Sequence, residues 1–371
     1  MKKRLKCEDP PAFPHSQILT DRLLAAAMSS PATAFILATI IALFFLNHTA
    51  NSSHPSPCDP TNKRDPRTLR HDRITVLING FSESRIPLLQ SLAATYSLSP
   101  LVSSVLVLWG NPSTPPRVLH QFALNLTSLS TSSSSAPITL HRNPSASLNS
   151  RFLPRHRDIS TDAVLICDDD VELDDASFEF AFRVWSNNRN RLIGIFARSH
   201  DLDLNRKEWI YTVHHDRYSI VLTKFMIMKS EYLYKYSCEG GARRVGMRGI
   251  VDEVRNCEDI LMNFVVADES DVGPLMVGVK RVRDYGDARN EVEKKKKLKV
   301  EGSFGNENEN VSGVGLSSRK GEHRKRRGWC IREFHRVLGR MPLRYSYGKV
   351  VDSVGEQGLC KKGGKLVFCD Q

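Results

Sequence analysis

Short apolar runs alternate with helical patterns through the middle of the chain. The runs predict buried strands because they are brief and rich in β-branched or aromatic residues: ITVLI (74–78), VLVLW (105–109) and AVLIC (163–167). Apolar residues then recur at helical spacing in the segments that follow, at 86–98, about 117–129 and 178–185. Strands that alternate with helices predict an α/β domain with a largely parallel sheet.

Later segments follow a more mixed pattern. Three of them predict strands and one, with acidic residues in its first turn, predicts a helix: 192–196, 209–213, 220–222 and then 257–267. No internal repeat, P-loop or Gly-x-Gly-x-x-Gly motif occurs.

An uncharged apolar segment occupies residues 23–46. Its 24 residues are enough for a helix to cross a hydrocarbon layer ~30 Å thick. Lysine and arginine precede it at 2, 3, 4, 6 and 22, and none follows it before Lys63. The positive-inside rule then predicts a cytosolic N-terminus and a luminal remainder. The alternative is a cleaved signal peptide, whose n-region is usually shorter than the 22 residues found here.

Two segments of the remaining chain contain few large apolar residues and are predicted to lie outside the folded core. Residues 47–72 are rich in Pro, Ser and Asn, and 288–322 contain Glu, Lys, Asn, Gly and Ser with few large apolar groups. A Lys run at 294–297 could be a nuclear signal, but in a luminal domain it is a solvated charge run. The predicted layout is a cytosolic tail (1–22), a transmembrane anchor (23–46), a luminal stem (47–72), a folded domain (73–346) with a flexible insertion (288–322), and a C-terminal tail (347–371).

A luminal location agrees with sequons at Asn47, Asn51, Asn125 and Asn310. The eight cysteines have no zinc-site spacing, so disulfides are possible from Cys58 onward. The net charge of +12 favours anionic partners such as phosphorylated ligands or membrane surfaces. We expect no nucleic-acid partner for a luminal domain.

Three adjacent carboxylates, Asp168, Asp169 and Asp170, follow the third predicted strand directly. They repel one another unless a cation neutralises them, and their oxygens suit magnesium or manganese. In nucleotide-sugar enzymes such a metal bridges the diphosphate and stabilises the leaving group. The alternative is an acidic turn that caps a helix, a role that Asp174 and Asp175 could fill.

Two further motifs have both a chemical and a structural interpretation. The segment Asn256-Cys257-Glu258-Asp259 enters a helix, where acidic residues either favour the helix dipole or face the sugar's anomeric carbon. The basic run 324–327 either grips a diphosphate or is a solvated surface.

Together these motifs resemble glycosyltransferase family 64, the exostosin-type catalytic domain, in order from about 74 to 346. The matching pieces are TDAVLICDDDVEL (161–173), FEFAFRVW (178–185), NCEDILMNFVVAD (256–268), an SG…EH…R..C pattern ending at Cys330, and MPLRYS (341–346). The resemblance implies a GT-A fold with a mixed sheet flanked by helices, a manganese cofactor and retention of anomeric configuration.

The resemblance also implies roles for particular residues. Asp259 becomes the catalytic carboxylate, and Cys257 forms a disulfide with Cys330. The metal is held by Asp170 with Asp168. The remaining implied nucleotide-sugar contacts are Arg85, Asn111, Arg151, Asp168, Asp169, His323 and Arg327. The family usually has Tyr-Asn-Arg after its first strand, whereas this chain is slightly longer there, at 79–85.

The short length, single anchor and single domain are most similar to plant members that add mannose to glycosyl inositol phosphorylceramide. This implies a Golgi type II membrane enzyme with a GDP-mannose donor and a glycolipid acceptor. Two alternatives stay open: a UDP-hexosamine transferase like the animal relatives, and a noncatalytic luminal binding protein on the same fold.

Overall fold

Three strands of the central sheet lie at the apolar runs 74–78, 105–109 and 163–167, which predicted buried strands. The computed structural model describes residues 56–130, 135–286, 320–352, 359–362 and 364–368. Its strands are β1 Arg70–Gly80, β2 Val102–Trp109, β3 Ile138–Arg142, β4 Thr161–Asp168, β5 Val171–Leu173, β6 Ile193–Gly194, β7 Ala197–Asp203, β8 Glu208–Thr212, β9 Arg217–Tyr218, β10 Ile220–Val221, β11 Phe225–Lys229, β12 Leu275–Gly278, β13 Val282–Asp284, β14 Ser346–Tyr347, β15 Val350–Val351, β16 Leu359–Lys362 and β17 Lys365–Phe368.

The helices cover both faces of this sheet. They are α1 Ile86–Leu98, α2 Pro116–Leu129, α3 Asp175–Ser186, α4 Glu231–Ser237, α5 Gly241–Val254, α6 Glu258–Ser270 and α7 Lys320–Leu338. Successive side chains of β1 point to opposite faces of the sheet. Val76 packs in the core formed with α1–α3, and Leu77 packs in the core formed with α4–α7.

The main sheet has eight strands in the order β15-β12-β6-β11-β4-β1-β2-β3. β1 pairs in parallel with β2 and β4, whereas β11 is antiparallel to β4 and β6. The sheet is therefore mixed, as the family resemblance implied, and its largely parallel half is the part that alternating strands and helices predicted. The antiparallel β11 was not predicted.

The segment predicted as a stem is attached to the folded domain over its second half. A disulfide joins Cys58 to Cys238, directly after α4. The Arg64 guanidinium donates hydrogen bonds to the carbonyls of His156 and Arg157, at 2.5 and 3.0 Å. Residues 70–72 already belong to β1. At the other end, β15 lies within the predicted C-terminal tail, yet it pairs in parallel with β12 in the main sheet.

Several expectations concern residues outside the described part of the chain. The predicted anchor at 23–46, most of the insertion at 288–322 and the sequons at Asn47, Asn51 and Asn310 all lie there. Among the described residues, no helix is long and apolar enough to span a membrane. Asn125 lies on the exposed side of α2.

Candidate active site

The carboxyl ends of β1, β2 and β4 form one edge of the sheet. Asn79 near the end of β1 is in register with Asp168 at the end of β4, and β2 ends beside them. Ligands of α/β sheets bind beyond such strand ends. Arg85 lies in the turn after β1, and Asn111 follows β2. The fold thus brings the predicted nucleotide-binding residues and the acidic triad to the same edge.

Arg85 forms ion pairs with two members of the triad. Its Nη1 lies 2.8 Å from Asp169 Oδ1 and 3.1 Å from Asp170 Oδ2. Burial raises the pKa of Asp169 to about 6, against the lowering effect of Arg85, and the neighbouring carboxylates add to the rise. The pKa of Asp170 is also raised, first by burial and then by Asp168. These carboxylates therefore favour any added positive charge.

The triad fits a divalent cation that is shared with a substrate phosphate. Asp170 Oδ1 is buried and has no hydrogen-bond partner among the residues that the structure describes. Within those residues, no three His, Cys, Asp or Glu side chains are placed to hold a metal by themselves. Magnesium-like sites commonly use one or two carboxylates, with water and substrate phosphates completing the coordination. Asp170 together with Asp168 matches that kind of site.

The residues at the end of β13 and just after it lie against Asp170 of the triad. The Tyr285 amide donates a hydrogen bond to the Asp170 carbonyl at 2.7 Å, directly after β13. A Cβ at Gly286 would lie 2.1 Å from Asp170 Oδ2, so a larger residue at this position would displace the Asp170 carboxylate. Lys224 Nζ lies 2.6 Å from Asp284 Oδ2. Its positive charge opposes, without cancelling, the rise in the pKa of Asp170.

Arg151 links the acidic triad to the start of α6. It lies on a short 3-10 helix, and its Nη1 is 3.3 Å from Asp168 Oδ1 and 3.1 Å from Glu258 Oε1. The same nitrogen donates to Thr223 Oγ1 at 2.9 Å. Burial lowers the pKa of Arg151, but Glu258 and Asp168 outweigh it and the net direction is upward. The positive charge of Arg151 therefore balances two carboxylates from distant parts of the sequence.

Asp259 lies in the first turn of α6 and pairs with Arg327 of α7. Arg327 Nη2 is 2.5 Å from Asp259 Oδ2, and both side chains are buried. Arg327 Nη1 donates to Asn256 Oδ1 at 3.1 Å, and its guanidinium carbon lies 4.5 Å from the centre of the Tyr211 ring. Arg327 was expected at the diphosphate, and the structure places it in contact with Asp259, the expected catalytic carboxylate.

The structure joins Cys257 to Cys330 by a disulfide, the pair that the family resemblance implied. Cys257 precedes Asp259 by two residues and adopts a left-handed backbone, with φ of 78°. Cys330 lies one turn after Arg327 on α7, on the same side of the helix. The crosslink therefore fixes the start of α6 against the turn of α7 that carries Arg327.

The two remaining predicted contacts differ in how closely the structure ties them to this site. His323 lies one turn before Arg327, and its pKa is lowered first by burial and then by Arg327, with Asp259 acting in the opposite direction. It therefore shares the electrostatic environment of the Asp259–Arg327 pair. Asn111 is at the correct sheet edge, where its side chain accepts a hydrogen bond from the Ser113 amide.

Sequence reasoning gave no contact role to four residues that complete this arrangement. For Glu258 the sequence left open a helix-dipole role or a position facing the sugar, and the structure shows that it forms an ion pair with Arg151. Thr223, Asn256 and Tyr211 contact Arg151 or Arg327. Only Asn256 had a signal in the sequence, because it opens the acidic motif; the other two come from strands and turns without a motif.

Comparison with known proteins identifies the family to which this chain belongs. The pattern described as "Glycosyl transferase family 64 domain" matches residues 74–355. "Glycosyltransferase family protein 64 C3" from Arabidopsis thaliana is 63% identical over 320 residues, which cover 86% of this chain and 92% of that protein. This chain therefore belongs to glycosyltransferase family 64 and is a glycosyltransferase.

Two further relatives carry more specific names. "Glycosylinositol phosphorylceramide mannosyl transferase 1" from Arabidopsis thaliana is 25% identical over 342 residues, covering 90% of this chain and 92% of that protein. "Exostosin-1a" from Danio rerio is 34% identical over 218 residues, covering 57% of this chain but only 27% of that protein. The plant relative thus matches nearly end to end, and the exostosin over one part of its length.

Proposed function

We propose that this chain is a metal-dependent, retaining glycosyltransferase of the GT-A type. In this proposal it transfers mannose from GDP-mannose to the headgroup of glycosyl inositol phosphorylceramide. The observation that supports it most strongly is an ion-pair bridge from the acidic triad to Glu258, the residue that precedes Asp259 on α6. Arg151 bridges Asp168 and Glu258, next to the buried pair of Asp259 and Arg327. A nucleotide-sugar needs such a neighbourhood, with cation-binding carboxylates near the diphosphate and a separate carboxylate near the sugar.

The donor's diphosphate is bound, in this proposal, by groups on both sides of the site. Asp170 and Asp168 would hold manganese, which supplies charge neutralisation to the departing diphosphate. Arg85 and Arg327 present planar guanidinium groups that can bind phosphate oxygens through paired hydrogen bonds. Both arginines form ion pairs with carboxylates of the site, Arg85 with Asp169 and Arg327 with Asp259. A phosphate and a carboxylate then compete for the same donors.

Asp259 is the proposed catalytic carboxylate. Front-face substitution forms the bond between the acceptor oxygen and the anomeric carbon as the bond to the donor phosphate breaks. The departing phosphate accepts the acceptor's proton, and Asp259 stabilises positive charge on the sugar ring and orients the acceptor hydroxyl. A covalent intermediate on Asp259 is the alternative route to retention. Arg327 keeps this buried carboxylate paired and positioned.

The donor and acceptor are proposed from the plant relative that matches almost the whole chain. The alternative donor is a UDP-hexosamine, favoured by the higher local identity to an exostosin. A noncatalytic luminal binding protein would need none of the charged network, so the network argues for catalysis. We place the enzyme in the Golgi membrane as a single-pass type II glycoprotein, on the basis of the apolar segment 23–46, its basic N-terminal flank and the sequons.

Nucleotide competition with the purified full chain tests this function. We expect GDP to inhibit donor turnover more strongly than UDP at equal manganese, and excess chelator to abolish turnover. Loss of the gene should leave inositol phosphorylceramides short of mannose and proteoglycan-type chains unchanged. Stronger inhibition by UDP with an unchanged lipid profile would replace the mannosyl proposal with the hexosaminyl one.

A further inference from the structure

A cleft of about 300 Å³ lies at the opposite end of the sheet from the acidic triad. It forms where β1 and β4 begin and β11 ends, with His71, Asp162 and Lys229 among its walls. Asp162 and Asp168 are six positions apart on β4, which corresponds to ~20 Å along a strand. The cleft is therefore separate from the candidate active site.

Positive charge predominates in the lining of this cleft. Five of its side chains are Lys or Arg, and two are acidic. Both acids already have basic neighbours: Asp162 lies 3.7 Å from Arg189, and Glu231 lies 3.9 Å from Lys235. The excess charge consequently belongs to the four other basic residues, which are Lys63, Arg64, Arg155 and Lys229.

None of these four basic side chains forms an ion pair within the part of the chain that the structure describes. Arg155 directs its guanidinium to the Leu153 and Ser150 carbonyls and to Asn143 Oδ1, all neutral acceptors at 3.0–3.1 Å. Burial lowers the pKa of Arg155 to about 10. Asp158 opposes that fall, and the guanidinium points toward Asn143 at the carboxyl end of β2. The charge that is free to attract an anion into the cleft therefore lies on Lys63, Arg64 and Lys229.

Lys63 and Arg64 also act on a histidine in the same wall. The pKa of His156 is lowered first by burial and then by Lys63 and Arg64. The apolar and aromatic parts of the lining, which include Leu69, Ile159 and Tyr234, exclude water from one side of the cleft. Lys63 and Arg64 are exposed, and Lys63 Nζ lies 4.8 Å from the centre of the Tyr234 ring, so both charges face solvent at the mouth of the cleft, where an anion can reach them.

We propose that this cleft is a second ligand site, which binds a phosphate ester through Lys63, Lys229 and the neighbouring arginines. The phosphate group is carried either by a small soluble molecule or by a lipid headgroup. Phosphate suits the site because several separate cations can each contact one of its oxygens. The site is independent of the donor chemistry, since it lies at the other end of β4 and shares no residue with the acidic triad.

Calorimetric titration of the full chain in a phosphate-free detergent with EDTA tests this proposal. The probes are inorganic phosphate and glycerol 3-phosphate, which carries the phosphate ester of a phospholipid headgroup. We expect Lys63→Gln combined with Lys229→Gln to weaken binding by about tenfold or more, since two charge-assisted contacts are lost. Preference for glycerol 3-phosphate would indicate a headgroup, and equal binding would indicate phosphate itself.

Arg243→Gln is the matched control, because Arg243 is exposed on α5 and lies outside the cleft lining. It should bind both probes as the wild type does. Donor turnover should be unchanged in the cleft variants, which separates this proposal from the proposed transferase function. Lys229→Gln alone, with a near-ultraviolet circular dichroism spectrum, serves if the double variant folds poorly. Wild-type affinity in a folded cleft variant, or an equal loss in Arg243→Gln, would overturn the proposal.

Discussion

Arg327 and Asp259 form a buried ion pair across two helices, with 2.5 Å between Nη2 and Oδ2. Their sequence positions are 68 residues apart, and the Cys257–Cys330 disulfide crosslinks the same two helix segments. Burial alone would lower the pKa of Arg327, but Asp259 outweighs burial and raises it. Arg327 therefore stays charged and keeps a carboxylate of defined orientation at the candidate site.

Removal of one member of this pair should destabilise the fold, because it leaves an uncompensated buried charge. We expect Arg327→Gln to lower the free energy of unfolding by about 3 kcal/mol. The double variant with Asp259→Asn should recover part of that loss, since neither charge remains. Urea unfolding of the four proteins measures the coupling, and strictly additive losses would argue against a stabilising contact.

Asp259→Asn should lower turnover of bound donor by about 10² or more, because the carboxylate is proposed to act on the sugar during reaction. Donor affinity should change far less, since the acidic triad and Arg85 are untouched. Single-turnover kinetics separates the two quantities. Collapse of donor affinity with preserved turnover would show that Asp259 has a different role.

Asp170→Asn should abolish turnover and weaken nucleotide binding in manganese, because Asp170 has a buried carboxylate oxygen without a hydrogen-bond partner among the described residues. Asp175→Asn is its control, an exposed acidic residue at the start of α3 that should behave as the wild type. Manganese binding and donor turnover are measured on both variants. Full turnover of Asp170→Asn, or of the wild type in excess chelator, would contradict the metal assignment.

The Cys58–Cys238 and Cys257–Cys330 disulfides should differ in their effect on donor turnover. Loss of either bond, by Cys330→Ser or Cys238→Ser, should lower the free energy of unfolding by about 4–5 kcal/mol on chain-entropy grounds. Only Cys330→Ser should also lower turnover in the folded fraction, because only that bond fixes the Asp259–Arg327 segment. Equal turnover in both folded variants would remove the positioning role of the Cys257–Cys330 bond.

His200 should make stability sensitive to acid. Burial lowers its pKa to about 4, and its Nδ1 lies 2.7 Å from Ser219 Oγ. In the unfolded chain His200 takes up a proton at pH ~6.5, whereas in the folded chain it does so only near pH 4. The contribution of neutral His200 to the free energy of unfolding is therefore complete above pH ~6.5 and is lost as the pH falls toward 4. It amounts to at most about 3 kcal/mol.

His200→Gln should remove that part of the pH dependence. Urea unfolding at pH 7 and pH 4.5 should show a smaller loss of stability in the variant than in the wild type. An identical loss in the two proteins would mean that His200 is not the group responsible.

The sequence predicted the parts of the fold that have strong local patterns. The helix expected at 86–98 is α1, and the strand expected at 163–167 lies within β4. β11, whose residues are FMIMK, was missed although it lies at the centre of the sheet. A short methionine-rich run has neither alternation nor β-branched enrichment, and its partner strands lie far away in sequence.

The candidate site depended more heavily on the family resemblance. The acidic triad at a strand end followed from residue chemistry, whereas Arg85 and Arg151 came from the resemblance alone. The pairing of Cys58 with Cys238 could not be deduced, because spacing does not determine disulfide connectivity. The ion pair between Glu258 and Arg151 was not predicted, because Arg151 lies over a hundred positions earlier and only the folded chain shows that contact.

Sugar transfer by the purified full chain tests the central claim most directly. The assay contains manganese, glycosyl inositol phosphorylceramide as acceptor, and either GDP-mannose, UDP-N-acetylglucosamine or UDP-N-acetylgalactosamine as donor. Mass spectrometry of the lipid should show one added hexose with GDP-mannose only, with the product absent for Asp259→Asn. A lipid product formed from a UDP-hexosamine but not from GDP-mannose, or the same GDP-mannose product from Asp259→Asn, would contradict this account.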